Sequence, residues 1–253
     1  MTNNIFTILS NKLITPEGSV APVYQMKLIG DTSAITAPGQ FVNVKIDGLF
    51  LRRPISVCDV FGDTLTLVYK VVGEGTEKLA KMGGGDELDL LVGLGNGYDI
   101  DLETCGKHPL IIGGGVGVPP MLYLYKKLYK EGAEPIVILG FNTKDEIILE
   151  DEFLSRRTTP IVTTVDGSYG TKGFVTDAMR NLDYTYVFAC GPEPMLKAVY
   201  NESKTSGQFS FEERMGCGFG ACMGCSCKTI TGNKRICKEG PILLKEEILW
   251  EQK

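Results

Sequence analysis

The stretch Cys217-Gly218-Phe219-Gly220-Ala221-Cys222-Met223-Gly224-Cys225, followed after eleven residues by Cys237, decides how the rest of the chain is interpreted. Its C-x4-C-x2-C spacing with a distant fourth cysteine is the plant-type arrangement, in which four thiolates hold the two irons of a [2Fe–2S] cluster. Glycines suit such a loop, because it has to wrap tightly with its backbone N–H groups turned toward the sulfurs. The pattern therefore predicts four iron ligands: Cys217, Cys222, Cys225 and Cys237.

Other uses of these cysteines fit the spacing less well. A structural zinc site usually takes two separated C-x2-C pairs, and only Cys222 and Cys225 form one. Disulfides are disfavoured, because the rest of the sequence has the features of a cytosolic protein. Five cysteines within the 21 residues 217–237 are too dense for isolated core thiols. That plainer explanation suits the three cysteines that stand alone, Cys58, Cys105 and Cys190.

The sequence leaves the identity of the third ligand undecided. Cys227 lies two residues after Cys225 and is an alternative to it, although only Cys225 completes the motif. A Rieske centre is excluded, because it needs two histidines and the chain has one, His108. A single histidine also disfavours catalytic triads and histidine metal sites, so cofactors have to carry the chemistry.

Length and composition indicate a globular protein. A chain of 253 residues, 43% hydrophobic and 23% charged, is long enough for two ordinary domains and a small appendage. The net charge of −5 gives no reason to expect nucleic-acid binding or attraction to an anionic membrane. No apolar run approaches the ~20 residues of a membrane span, and residues 1–10 lack the features of a signal peptide. We therefore expect a cytoplasmic protein, where clusters can be assembled.

The first hundred residues have the period-two alternation of half-buried strands. In residues 64–71 the large side chains Leu65, Leu67, Tyr69 and Val71 share one face. The same pattern recurs in residues 24–28, 41–46 and 88–92, and turn residues separate these segments. Short strands at this spacing predict an antiparallel barrel or sandwich, with one short helix over residues 75–82.

Two segments of this region have the composition of a phosphate site. Arg53-Pro54-Ile55-Ser56 places an arginine at a strand start, where it can hold a pyrophosphate bidentately while Ser56 contacts a flat ring. A solvated basic turn is the plainer explanation of this segment taken alone. Gly75-Thr76, however, opens a helix after a strand, and such a helix N-terminus binds phosphate readily.

Together these segments resemble the flavin-binding half of the ferredoxin–NADP reductase family. In that family the Arg-x-x-Ser segment grips FAD at its pyrophosphate and isoalloxazine, and the Gly-Thr helix start completes the phosphate site. The resemblance implies that FAD contacts Arg53, Pro54, Ile55, Ser56, Val68, Tyr69, Lys70, Gly75 and Thr76.

After residue 97 the sequence changes to alternating strands and helices. The apolar strand 108–112 ends in Gly113-Gly114-Gly115-Val116-Gly117, and Pro119-Pro120 opens a helix. Further βα units follow, with strands predicted at 135–139, 160–165 and 186–190 and helices at 145–154, 173–181 and 194–203. This alternation predicts a parallel sheet that binds ligands beyond the carboxyl ends of its strands.

Two glycine-containing strand ends would lie at that edge. The glycine loop differs from the standard G-x-G-x-x-G fingerprint, and an ordinary tight βα turn explains it equally well from the motif alone. For Cys190 the plainer explanation is a small buried residue. In the reductase family the two segments match the nicotinamide-nucleotide site, which implies that NAD contacts Gly113, Gly114, Gly115, Gly117, Cys190, Gly191 and Pro192.

The segment after the second strand of this domain bears on the choice between NADH and NADPH. Relatives that bind NADP usually place an arginine where the 2′-phosphate falls. Here residues 141–146 offer Lys144 beside Asp145 and Glu146. Repulsion between the two acids and a phosphate predicts that NADH is preferred at least several-fold.

The last residues complete the cluster site. We predict a strand over residues 208–211 and a hairpin over residues 228–236 with Gly232-Asn233 at its turn, which would return Cys237 to the other ligands. We therefore predict an α+β multidomain protein: an FAD-binding β-barrel over residues 1–100, an NAD-binding α/β domain over 101–208 and a [2Fe–2S] domain over 209–253. A flavin exchanges electrons in pairs with NAD and singly with a cluster, so it has to stand between them.

Nearly the whole chain resembles the electron-transfer subunits of NAD-dependent dihydroorotate dehydrogenases of type B. The shared segments include residues 165–170, 172–177 and 237–241, in addition to the flavin and cysteine motifs. The resemblance implies a heterotetramer of two such chains with two FMN-containing catalytic subunits. Electrons would pass from dihydroorotate to FMN, through the cluster to FAD and then to NAD+, a step of pyrimidine biosynthesis.

Other functions remain as alternatives at this stage. The small subunit of NADH-dependent ferredoxin:NADP oxidoreductase shares residues 165–170 and 172–177 but usually has aspartate at the position of Cys217. Gamma subunits of cytoplasmic hydrogenases have the same architecture. A redox-sensing protein that holds a cluster without turnover is the non-enzyme alternative, and the intact glycine loop and Arg53 disfavour it.

Overall fold

A computed structural model describes residues 1–155 and 158–250 of the chain. Residues 251–253, the end of the predicted cluster domain, lie outside the described residues. Among the described residues, no helix is both long and apolar enough to cross a membrane.

An antiparallel β-barrel forms the N-terminal part of the molecule and confirms the predicted fold. In the part of the chain that the structure describes, six strands close in the order β1-β2-β5-β4-β3-β6. Their bounds are β1 Thr2–Leu13, β2 Val23–Ile29, β3 Phe41–Val44, β4 Arg53–Phe61, β5 Thr64–Lys70 and β6 Glu87–Leu94. Their alternating side chains fill the interior, which includes Phe6, Met26, Leu28, Leu65, Leu67 and Leu90. The short helix α1, Glu74–Ala80, follows β5 as predicted.

The middle of the chain folds around a mainly parallel sheet, as the βα alternation predicted. The described strands of this sheet follow the order β10-β9-β8-β7-β11-β12-β15. Their bounds are β7 Leu110–Gly114, β8 Ile136–Phe141, β9 Ile161–Thr164, β10 Thr171–Lys172, β11 Val187–Cys190, β12 Gly207–Ser210 and β15 Ile242–Leu244. The helices are α2 Leu102–Cys105, α3 Val118–Lys130, α4 Glu150–Leu154, α5 Val175–Met179 and α6 Glu193–Glu202.

Two predictions in this domain were wrong in detail. The predicted helix over residues 145–154 is a 3-10 turn at Lys144–Glu146 followed by α4, because Leu149 has the left-handed φ of 61° and separates the two. Gly113 and Gly114 belong to β7 rather than to a loop, and Gly115–Gly117 form a 3-10 turn that leads directly into α3.

The C-terminal segment returns to the sheet after the cysteine loop. Strands β13, Ser226–Thr229, and β14, Gly232–Arg235, form the predicted hairpin, but its turn is at residues 230–231 and not at Gly232-Asn233. Thr229 pairs with Gly232, and its hydroxyl donates to the Gly232 carbonyl at 2.7 Å, which closes the turn earlier than predicted. Beyond Cys237, β15 pairs antiparallel with β12 at the sheet edge.

Helix α3 joins the barrel to the parallel sheet. Most of its buried side chains pack under the sheet, whereas Tyr123 contributes to the barrel core. Lys126 on the same helix forms an ion pair with Asp59 on β4. Because the glycine turn lies at the start of α3, this helix fixes the nucleotide edge of the sheet relative to the barrel.

Candidate functional site

The cysteine loop turns backbone N–H groups toward its own sulfurs. The Cys217 sulfur accepts from the N–H groups of Ala221 and Cys222 at 3.2 and 3.3 Å, and the Cys222 sulfur accepts from the Cys217 N–H at 3.4 Å. On the hairpin side, the Cys225 sulfur accepts from the Cys237 N–H at 3.5 Å. These contacts group the four predicted ligands as two pairs, Cys217 with Cys222 and Cys225 with Cys237.

The environment of the thiols differs between the two pairs. Burial raises the pKa of Cys217, but the N–H groups of Cys222, Phe219 and Ala221 outweigh it and lower the pKa to about 6. Burial, together with the neighbouring Cys225 thiol, raises the pKa of Cys237 to about 12. Cys222 is exposed, whereas Cys225 and Cys237 are buried. One side of the candidate centre thus faces solvent and the other faces the protein.

Four thiols with N–H donors to sulfur fit a cluster of two irons. Within residues 1–155 and 158–250, no group of three or more His, Cys, Asp or Glu side chains is arranged to hold a metal ion, so the assignment depends on the paired contacts of the four thiols. The paired arrangement matches the chemistry of a [2Fe–2S] cluster, in which each iron takes part of the ligand set. Cys227 lies on β13 opposite Lys234. The contact between Cys225 and Cys237 supports Cys225 as the ligand.

A buried asparagine of the barrel contacts the cysteine loop. The Asn43 side chain, on β3, donates to the Cys217 carbonyl at 3.3 Å. A Cβ at Gly218 would lie 2.1 Å from Asn43 Nδ2, so the loop can approach this closely only with glycine there. Asn43 is paired with Pro54 in the β3–β4 ladder. The predicted iron ligands therefore lie directly beside the strand predicted to hold the flavin. Sequence reasoning missed Asn43, because nothing in its local sequence indicates a contact 174 residues away.

The predicted flavin segment lies at the start of β4. Pro54 is exposed, Arg53 and Ser56 are half-buried, and Ile55 is buried in the barrel interior. A Cβ at Gly75 would lie 2.5 Å from Arg53 Nε, which shows that the guanidinium and the start of α1 are adjacent. The structure thus brings Arg53 and Gly75 together, and an arginine beside a helix N-terminus fits a pyrophosphate.

The remaining predicted flavin contacts are arranged around β5 and α1. Val68 packs toward the α3 side, whereas Tyr69 packs into the barrel. The Tyr69 hydroxyl donates to Asn11 Oδ1 at 3.0 Å, and burial raises its pKa to about 12. Lys70, half-buried, ends β5. The Thr76 hydroxyl accepts from the N–H groups of residues 72 and 73 at 2.9 and 3.3 Å, which shapes the turn into α1.

The two predicted nicotinamide segments touch each other at the sheet edge. Strands β7 and β11 are neighbours, with Gly113 opposite Cys190. A Cβ at Gly117 would lie 2.3 Å from the Cys190 carbonyl oxygen, and one at Gly114 would lie 3.4 Å from Pro192 Cδ. A Cβ at Gly115, by contrast, would meet nothing within 4 Å, so this glycine borders open space. The cradle fits a dinucleotide at the start of α3.

Met195 is a further residue of this edge that sequence reasoning missed. A Cβ at Gly114 would lie 2.4 Å from Met195 Sδ, and one at Gly191 would lie 2.5 Å from Met195 Cε. The thioether therefore fills the space between the two strand ends. Cys190 itself is buried, and burial raises its pKa to about 12, so its thiol is neutral at physiological pH.

Acidic groups lie at the end of β8, in the segment 141–146 from which the preference for NADH over NADPH was predicted. The Glu146 carboxylate accepts from Asn142 Nδ2 at 2.9 Å and from the Asn142 N–H at 3.3 Å. The backbone N–H of Lys144 donates to the Ser168 hydroxyl at 2.8 Å. The carboxylate is thus fixed at this strand end, whereas the Lys144 side chain is exposed.

Two family descriptions match parts of the chain. The iron–sulfur cluster binding domain of dihydroorotate dehydrogenase B matches residues 212–249, and the oxidoreductase NAD-binding domain matches residues 111–201. The first range contains the cysteine loop and the hairpin, and the second runs from β7 to α6.

Proteins of the same description match over most of their length. The electron transfer subunit of dihydroorotate dehydrogenase B (NAD(+)) from Fusobacterium nucleatum is 44% identical over 89% of this chain and 92% of its own. The corresponding subunit from Streptococcus mutans is 39% identical over 96% of both chains.

Solved structures show the same fold. A structure described as that of an NADH-dependent reduced ferredoxin–NADP oxidoreductase superposes with a TM-score of 0.84 and 30% identity, over 96% of this chain and 89% of the other. A ferredoxin NADP+ reductase from Neisseria gonorrhoeae with bound FAD and NADP superposes with a TM-score of 0.66 and 20% identity, over 80% and 90%.

The relatives named dihydroorotate dehydrogenase B are 39–44% identical over nearly whole chains, and this decides between that family and the other oxidoreductase subunits considered from the sequence. The cysteine loop packed against the barrel agrees with it. The chain belongs to the family of electron transfer subunits of NAD-dependent dihydroorotate dehydrogenase B.

Proposed function

We propose that this chain passes electrons from the FMN of a catalytic partner subunit, through its [2Fe–2S] cluster and FAD, to NAD+. The observation that carries the proposal is the contact between Asn43 and the Cys217 carbonyl, which joins the cysteine loop to the strand beside the flavin segment. FAD supplies the chemistry that exchanges electron pairs with NAD and single electrons with the cluster.

Within this function the barrel holds FAD. Arg53 binds the pyrophosphate together with the N–H groups at the start of α1, where Gly75 lets the guanidinium approach. Pro54, Ile55 and Ser56 line the ring, and Val68, Tyr69 and Lys70 extend the site along β5. Thr76 holds the turn into α1 by accepting two backbone hydrogen bonds.

The four predicted cysteines hold the cluster. Cys217 and Cys222 bind on the solvent side and Cys225 and Cys237 on the buried side, which follows the pairing of their N–H and sulfur contacts. N–H donors to sulfur stabilise the anionic centre.

NAD binds across the ends of β7 and β11. The start of α3 and the glycines at 113, 114, 115 and 117 receive the pyrophosphate, and Cys190, Gly191 and Pro192 lie at the nicotinamide. Cys190 contributes shape rather than a charge, because its thiol is buried and neutral.

NADH is preferred to NADPH at least several-fold. The Glu146 carboxylate, fixed by Asn142, repels a 2′-phosphate at the end of β8. Lys144 contacts Ser168 through its backbone N–H, and its side chain is exposed. The expected result is a higher kcat/KM for flavin reduction by NADH than by NADPH, measured with the same anaerobic preparation. Equal or faster reduction by NADPH would contradict the assignment.

The partner supplies the organic substrate site and FMN, in a heterotetramer of two chains of each kind. Electrons from that partner enter at the exposed part of the cysteine loop, where Cys222 is exposed and the residues Phe219 and Met223 are 43% and 60% exposed. Large apolar side chains at the rim of a redox site suit protein contact.

Orotate formation tests the function. The chain, purified with its copurifying partner, is expected to form orotate from dihydroorotate with NAD+, and each chain alone is expected not to. If the complex instead reduced a ferredoxin with NADH and left dihydroorotate unchanged, the rival function of the structurally similar ferredoxin–NADP oxidoreductase would replace this one. The measured stoichiometry of the complex checks the two-plus-two assembly.

A further inference from the structure

The hairpin that carries the fourth cysteine ends in an arginine that reaches back to the cysteine loop. Arg235 is the last residue of β14, two residues before Cys237. Its Nη1 donates to the carbonyl of Gly220, which lies between the first two predicted ligands. Only 24% of the Arg235 side chain is exposed. One guanidinium therefore connects the loop of the first three cysteines to the strand that precedes the fourth.

Glu239 fixes this guanidinium from the other side. Its carboxylate accepts from Arg235 Nε at 2.9 Å, forms a second contact with Nη2, and also accepts from the Arg235 N–H at 2.9 Å. The two oppositely charged side chains form an ion pair. A bidentate arginine–carboxylate pair of this kind has a defined geometry.

The cysteine loop packs against the segment between Arg235 and Glu239. Gly220 has the left-handed φ of 88°, and a Cβ there would lie 2.6 Å from Cδ of Lys238. The next residue, Ala221, directs its N–H to the Cys217 sulfur at 3.2 Å. The contact between Arg235 and Gly220 is therefore one residue away from a sulfur hydrogen bond, and it restrains the loop where that bond forms.

The Arg235 guanidinium lies close to the predicted ligands. It contacts the Gly220 carbonyl, and the next residue, Ala221, donates its N–H to the Cys217 sulfur. Arg235 also lies two residues before Cys237 in the chain. A cluster held by four thiolates is anionic and gains one more negative charge on reduction, so a nearby fixed cation favours the reduced form. Net charge and hydrogen bonding around the sulfurs are among the factors that set cluster potentials.

We propose that Arg235 is a positioning residue for the cluster, which restrains the ligand loop at Gly220 and raises the reduction potential of the cluster, and that Glu239 offsets part of this effect. The inference rests on the four-cysteine ligand set of the proposed function.

An anaerobic redox titration followed by electron paramagnetic resonance tests it on the complete electron-transfer complex. Arg235→Gln is expected to lower the cluster potential, because it removes the cation. Glu239→Gln is expected to raise the potential, because it leaves the cation uncompensated. Arg235→Lys, which keeps the charge, is expected to lie closer to the wild type than Arg235→Gln. Opposite signs for the two charge removals distinguish this role from general loss of structure.

Lys234→Gln is the matched control. Lys234 precedes Arg235 on β14, so its side chain points to the opposite face of the hairpin, where it pairs with Glu247. Its removal deletes the same charge from the same strand and is expected to leave the potential nearly unchanged. A Lys234→Gln shift as large as that of Arg235→Gln, or shifts of the same sign in Arg235→Gln and Glu239→Gln, would overturn the inference.

The failure of the underlying function is distinguishable from the failure of this inference. Wild-type complex without iron would overturn the ligand set and the inference with it. Iron-loaded variants with unshifted potentials would overturn the inference alone. If Arg235→Gln does not retain iron, Glu239→Gln decides, and an unchanged or lowered potential in that variant would overturn the role of the charge.

Discussion

Two adjacent arginines show how residues of one type are used differently. Arg52 Nη1 donates to Asp89 Oδ1 at 2.9 Å and to the carbonyls of Asp89 and Asn43, so it holds β3 and β6 together. Arg53 instead lies beside Gly75 at the start of α1. Both arginines have the same local sequence context. Only the folded structure shows that Arg52 binds the barrel strands and that Arg53 lies at the proposed flavin site.

Replacement of these arginines by glutamine therefore has different expected results. Arg53→Gln is expected to weaken FAD binding roughly 10- to 100-fold, because charged hydrogen bonds contribute about 1.5–3 kcal/mol. Arg52→Gln is expected to retain FAD but to lower the free energy of unfolding by about 1–3 kcal/mol, because it removes the charged hydrogen bonds to Asp89 and to the Asn43 carbonyl and leaves Asp89 only the longer contact with Lys45 at 3.9 Å. Flavin fluorescence on dilution and chemical denaturation measure the two effects. If Arg52→Gln lost FAD and Arg53→Gln retained it, the assignment of Arg53 to the flavin site would be wrong.

Two glycines of the nucleotide turn provide a second comparison. Gly117→Ala would place a methyl group 2.3 Å from the Cys190 carbonyl oxygen and separate the two strand ends. We expect NAD+ to bind about tenfold more weakly, which corresponds to about 1.4 kcal/mol. In Gly115→Ala the added methyl group meets nothing within 4 Å, although φ is +52°. That variant is expected to lose some stability and to bind NAD+ more tightly than Gly117→Ala in calorimetric titration; the reverse order would contradict the role of the close contact.

At the scale of elements, the cysteine loop depends on the barrel strand β3. A Cβ at Gly218 would lie 2.1 Å from Asn43 Nδ2, whereas a Cβ at Gly224, in the same loop, would lie 3.5 Å from the Cys222 sulfur, an ordinary contact. Both the contact with Asn43 and a left-handed φ of +76° therefore require glycine at position 218, whereas position 224 tolerates a methyl group.

Alanine substitutions at positions 218 and 224 are expected to differ in their effect on iron binding. Gly218→Ala displaces the loop from β3 and is expected to lower the affinity for iron roughly 10- to 100-fold, the usual effect of disturbing the groups around metal ligands. Gly224→Ala is expected to keep its iron. Iron per flavin after an anaerobic chelator challenge is the measurement, and equal loss in the two variants would show that the contact with Asn43 does not position the loop.

Element types followed from the sequence, whereas the contacts between elements did not. Alternation at residues 64–71 identified β5, and the apolar strand before Gly113 identified β7, because periodicity is a local property. The helix predicted over 145–154 failed at Leu149, whose left-handed φ no local pattern indicates. The spacing of the cysteines indicated a cluster, but the contacts of Asn43 and Arg235 arise from tertiary packing and could not be predicted from it.

At the scale of the molecule, the chain places its candidate sites in a functional order. The glycine edge of the sheet is fixed to the barrel by α3, through Tyr123 and the pair of Lys126 and Asp59. The cysteine loop contacts the barrel through Asn43. The flavin segment thus borders both neighbours, and this arrangement predicts that electrons from NADH reach the cluster only through FAD.

Anaerobic reduction by NADH of protein depleted of FAD tests this central claim most directly. In the intact protein, NADH is expected to bleach both flavin and cluster absorption. In Arg53→Gln depleted of FAD, NADH is expected to leave the cluster oxidised, dithionite to reduce it, and added FAD to restore its reduction by NADH. Reduction of the cluster by NADH in the absence of flavin would contradict the account.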